Sequence, residues 1–95
     1  MMKYAEMVEE DRRLVILRVL LEAAAFGTNI GLLRQFVEAA GHTVSLDRLA
    51  ADIAWLSEMS LIGVENDVVR LTARGGDVAT GRARVPGVRQ LRPGE

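Results

Sequence analysis

The sequence predicts a mainly α-helical domain that carries one small β-hairpin, in the order helix, helix, helix, hairpin, short helix. Three observations predict it. Glycine is absent before Gly27, so residues 4–26 can run as one long helix. Two further segments, 29–40 and 46–60, repeat apolar residues at helical spacing behind a capping residue. Two β-branched runs, 62–64 and 68–71, then flank Glu65-Asn66-Asp67, and Asn-Asp tolerates the positive φ that tight hairpin turns demand.

Each element has its own justification. In the first helix Glu9 and Arg13 are spaced to pair at i,i+4, and Gly27 stands where a C-cap belongs. Its second half, LVILRVLLEAAAF, is apolar around roughly twice the ~100° arc of an ordinary surface helix. Such a helix is either central to the core or shared with a second subunit. In the second helix Thr28 or Asn29 is the N-cap, Gly41 the terminator, and Ile30, Leu33, Phe36, Val37 and Ala40 the apolar face. Ser45 caps the third, with Asp47 favoured in its first turn and Leu46, Leu49, Ala50, Ile53 and Leu56 as the inward stripe. Thr72 caps a short helix over 73–80, which Gly75-Gly76 weakens. The expected core is Leu14, Leu17, Leu21, Leu33, Phe36, Leu49, Ile53, Leu56 and Leu71. The sequence thus divides into a folded domain, 1–81, and a basic arm, 82–95, whose GRARVPGVRQLRPGE composition reads as extended or flexible.

Bulk composition narrows the function. A 95-residue chain that is 49% hydrophobic supports one core. It has no cysteine, which removes disulfides, thiolate catalysis and Cys-ligated zinc and suits a reducing cytoplasm. No signal peptide stands out, and Arg18 and Glu22 interrupt the longest apolar run well short of the ~20 residues of a membrane span. A soluble, cytoplasmic protein is expected. With a single histidine, His42, and no nucleophile-base-acid setting, neither catalysis, a metal site nor a cofactor is expected.

The stretch SLDRLAADIAWLSEMSLIGVENDVVRLTARG carries a resemblance. It is similar to the MarR-like and ArsR-like bacterial regulators, whose third helix ends in a Leu-x-x-Leu pattern and enters a wing through Gly-Leu-Ile/Val. Here the matching positions are Ile53, Leu56, Leu61 and Ile62, with Ser60 in the glycine's place, followed by Leu71, Thr72 and Gly75 in the Leu-Thr-x-x-Gly exit. The resemblance implies a winged helix-turn-helix: three helices, a two-stranded wing and a short C-terminal helix. The ending GDVATGRARVPGVRQLRPG also resembles small uncharacterised proteins of Mu-like prophages. Together these imply a prophage-type, DNA-binding regulator of transcription that is not an enzyme, with double-stranded DNA as partner.

Charge distribution qualifies that expectation. Residues 1–69 carry six basic against eleven acidic side chains, a balance of -5, whereas residues 70–95 carry a balance of +4. A helical wheel turns Arg48, Ala51, Asp52, Trp55 and Met59 outward on the third helix, flanked by Asp47 and Glu58, so the helix that reads DNA in such folds is net acidic. The candidate phosphate contacts are therefore Arg48, Arg70, Arg74, Arg82, Arg84, Arg89 and Arg92. The alternative is a protein-interaction module working through an exposed Trp55, with Met59, and the basic tail; a neighbouring helix, the tail or a dimer mate would equally cover that Trp. The wide arc of the first helix further implies a homodimer with Ile16, Val19, Leu20 and Ala23 at its interface.

Overall fold

A computed structural model describes residues 1–95. Helix α1 (Tyr4–Glu22) is followed by a 3-10 turn (Ala24–Phe26), strand β1 (Gly27–Asn29), helices α2 (Ile30–Ala39) and α3 (Leu46–Glu58), strands β2 (Ile62–Glu65) and β3 (Val68–Leu71), and helix α4 (Ala73–Ala79). The fold thus comprises four helices and a three-stranded antiparallel sheet of order β1-β3-β2. No helix is long and apolar enough to cross a membrane.

Local chemistry sets the boundaries. Asn29, Ser45 and Thr72 each cap a helix by accepting the backbone N–H three residues on. Asn66 and Asp67, at φ 52 and 62, form the two-residue turn that brings Glu65 opposite Val68. Ser60, at φ 62, does the work of the missing glycine, and the Leu61 amide returns to the Leu56 carbonyl to close α3. At Gly75 close approach demands glycine, since a Cβ there would sit 2.0 Å from the Leu61 carbonyl oxygen.

One strand was missing from the sequence reading. Helix α1 stops at Glu22, and Gly27 opens β1, with Gly27 opposite Arg70 and Asn29 opposite Val68. Between them Ala25 and Phe26 hold left-handed backbone at φ 52 and 59, a conformation that costs about 1–2 kcal/mol per residue. Arg70 braces it by donating Nη1–H to the Ala25 carbonyl at 2.6 Å.

The core centres on α1, which answers the question its wide arc posed. Leu14, Ile16, Leu17 and Leu20 are all fully buried with Leu33, Val37, Leu49, Leu56, Leu61 and Val69. Ile16 and Leu20 are therefore filled from within the subunit and are not interface residues; Val19 and Ala23 remain half-buried. Of the expected core, Leu21 and Leu71 are half-buried and Phe36 is 50% exposed, because α2 turns Leu33 and Val37 inward instead. Leu46, Ala50 and Ala40 also face solvent.

Residues 82–95 form neither helix nor strand, yet they are not a free arm. Val85 and Val88 enter the core, Leu91 packs at its margin, and the Arg89 amide donates to the Glu10 carbonyl on α1 at 3.1 Å.

Candidate nucleic-acid interface

Helix α3 is rotated from the orientation that its charges suggested. Asp52 is buried (2% exposed) and accepts from Arg12 Nε, with Arg13 Nε 3.6 Å away. A carboxylate enters a core only when a cation meets it there, and Arg12 of α1 does so. The outer face of α3 is consequently Asp47, Ala50, Ala51, Ala54, Ser57 and Glu58, with Arg48 at one side. Alanine offers base edges nothing beyond a methyl contact, so this face has little direct reading capacity.

Trp55 is likewise not an exposed anchor. The Arg13 guanidinium stacks 4.0 Å from its ring centroid, and the tail crosses it at Gly87, whose added Cβ would lie 2.6 Å from the indole. The φ of +97 at Gly87 adds to that close approach, so position 87 requires glycine on two counts, and the Gly87 carbonyl accepts from Arg13 Nη1 at 3.0 Å. Met59 is half-buried against the core. The covering by first helix and tail, rather than exposure, describes this face.

The candidate cations divide into two groups. Arg70 is spent on the Ala25 carbonyl, and Arg89 on Asp11 and Glu95. Arg74, Arg82 and Arg84 are exposed and none takes part in an ion pair within the chain. Arg92 is exposed too, its amide held by Glu95. Arg48, with its side chain 61% exposed, comes only within 3.7 Å of Glu9, a contact that solvent screens heavily.

Arg89 instead latches the tail. Asp11 receives the Arg89 Nε–H at 2.5 Å and His42 Nε2 lies 2.6 Å from its other oxygen. Burial pushes the Asp11 carboxyl up, but the hydrogen bonds from His42 and Arg89 outweigh it and leave the pKa below its ordinary 3.8. The Arg89 hydrogen bond, then the Arg92 amide, draw Glu95 down to about 2. A carboxyl with a lowered folded pKa adds stability above its unfolded pKa and loses it as pH falls through the folded one. The latch is accordingly expected to be at full strength above about pH 4 and to weaken progressively below it, down through about pH 2, where Glu95 takes up its proton. Trp55 fluorescence checks this, because release uncovers the indole, and Asp11→Asn should remove Asp11's share of the transition. A tail already released at pH 6 would contradict it.

No group of three or more His, Cys, Asp or Glu side chains is arranged to hold a metal ion. Sequence reasoning found the free arginines, but it missed the Asp11–His42–Arg89 cluster, which joins residues far apart in the chain and has no local signature.

Comparison with known proteins places the chain. No family model matches it, and neither does any solved structure. An uncharacterized protein of Haemophilus influenzae is 34% identical over 64 residues, 67% of this chain and 62% of that one. The uncharacterized protein gp26 of Escherichia phage Mu is 48% identical over 92 residues, spanning 93% of this chain and 95% of its own. At that identity and extent, the chain belongs to the family of the phage Mu protein gp26.

Proposed function

We propose that the chain is a winged helix domain and that it serves as a small phage-type regulator binding double-stranded DNA in the host cytoplasm, without catalysis. The helix–helix–helix–hairpin–helix order supports the scaffold, with β2 and β3 as the wing and β1 pairing with β3 at the sheet's other edge. Relationship to a phage Mu protein supports the setting. The observation that carries the DNA reading is the set of unpaired guanidinium groups at Arg74, Arg82 and Arg84. They stand on α4 and the segment just after it, exposed and outside the ion pairs that hold Arg89. Burial of Asp52 against Arg12 also removes one acid from the surface of α3.

On this reading affinity comes from phosphate contacts, and sequence preference from the wing and the arm more than from α3. About four contacts, from Arg48, Arg74, Arg82 and Arg84, give a salt slope of about -3.6. The triple variant Arg74→Ala/Arg82→Ala/Arg84→Ala should flatten it by about 2.7, at roughly -0.9 per phosphate. Fluorescence anisotropy on a mixed-sequence duplex across a salt series measures both. Absence of binding at low salt, or an unchanged slope in the triple variant, defeats the proposal.

A protein-interaction role is the second reading. What favours it is no longer Trp55 but a different apolar face, where Phe26, Leu32 and Phe36 stand open to solvent.

A further inference from the structure

The left-handed turn at Ala25 and Phe26 is held from two sides, by Arg70 on the Ala25 carbonyl and by the Phe26 amide on the Ala23 carbonyl at 2.9 Å. Side chains rarely adopt this backbone, and here it leaves an aromatic ring 52% exposed rather than buried. Phe26 is not alone. Phe36 and Leu32 project from one side of α2, and beside Phe36 lies a cleft of about 430 Å³ lined by Val19, Glu22, Ala23, Ala39 and Ala40. Isolated exposed apolar residues need no explanation, but Leu32 and Phe36, one turn apart on α2 beside an alanine-lined cleft, form an apolar patch.

Along α1 and onto its C-cap the patch continues as a ridge of half-buried residues spaced by four, Val15, Val19 and Ala23. Arg18 and Glu22 run alongside it. Although they are i,i+4 neighbours, neither joins any ion pair of the subunit. A ridge with one cation and one anion beside it, both unpaired, matches an inverted copy of itself. Setting two α1 helices antiparallel about an axis near Val19 opposes Val15 to the partner's Ala23 and Arg18 to the partner's Glu22, twice by symmetry. Phe36 stands next to Val19 at the cleft, so the same axis brings both Phe36 rings into the contact.

We propose that this face, formed by α1 from Val15 to Glu22, its C-cap Ala23 and the Phe36 side of α2, is a twofold interface between two copies of the chain. The charge pattern selects the occupant. A foreign protein would have to supply its own complementary pair, whereas a second copy supplies it by symmetry. The interface does not depend on the DNA-binding reading.

Sedimentation velocity of the full chain at micromolar concentration should give twice the 10.4 kDa chain mass. Phe36→Asp, at an exposed position, should raise the dimer dissociation constant by about 30-fold or more, the scale of a central interface anchor. Arg18→Glu and Glu22→Arg should each weaken the dimer, and the double variant Arg18→Glu/Glu22→Arg should recover most of the loss, with circular dichroism confirming that every variant is folded. A monomeric wild type, a dimer indifferent to Phe36→Asp, or single charge variants that the double fails to rescue would each overturn the proposal.

Discussion

Asp52→Ala is expected to destabilise the fold by about 3–5 kcal/mol, the usual result of stranding one member of a buried ion pair. Arg12 is buried, and Asp52 is the one acceptor its side chain has. Its Nη2 already lacks a partner, as does Nε of Arg13, so no other group can take up the loss. For a domain of this length the fall in Tm should exceed about 12 °C by thermal unfolding. The companion variant Arg12→Met/Asp52→Leu should recover much of the stability, because an apolar pair carries no desolvation cost. A loss under about 1 kcal/mol in Asp52→Ala would mean that the pair is open to water and that Asp52 belongs to the outer face of α3 after all.

Leu56→Ala is the second large effect, at about 2–5 kcal/mol. Leu56 is fully buried on the inner face of α3, which packs against β2. Truncation leaves a void that the short elements around it fill only in part, and the cost grows with the volume left empty. Urea titration should show a lower midpoint at unchanged slope. A cost below about 1 kcal/mol would show that the α3–sheet junction collapses freely, contrary to a core of this density.

Where sequence reasoning succeeded, the determinant was local. The hairpin was legible because Asn66 and Asp67 by themselves select the positive-φ turn, and the three later helices because Asn29, Ser45 and Thr72 cap them. Strand β1 was not, since Gly27-Thr28-Asn29 has no alternating pattern and becomes a strand only by pairing with β3. Residues 82–95 misled through composition. Arginine, glycine and proline dominate the segment, yet Val85, Val88 and Leu91 recur every third residue and place apolar side chains against the body. The candidate site was half legible. Charge asymmetry pointed to the arginines of the C-terminal quarter, but which of them are free of internal partners depended on groups such as Asp11 and Ala25, contributed by distant parts of the chain. The rotation of α3 was missed for one reason, that a lone carboxylate was sent to solvent when Arg12 was waiting inside.

Because Val85 and Val88 complete the core laid down by α1, that helix is among the last elements to be fully covered. The hydrogen bond from the Arg89 amide to the Glu10 carbonyl closes nearly the whole length of the chain. Contacts of such sequence separation are slow to form, since loop entropy must be lost before they return anything. In vectorial synthesis α1 therefore leaves the ribosome with its tail-side apolar surface uncovered, and it stays so until the arginine-rich end has been translated. The segment whose composition looks most dispensable is then the one that times the completion of folding.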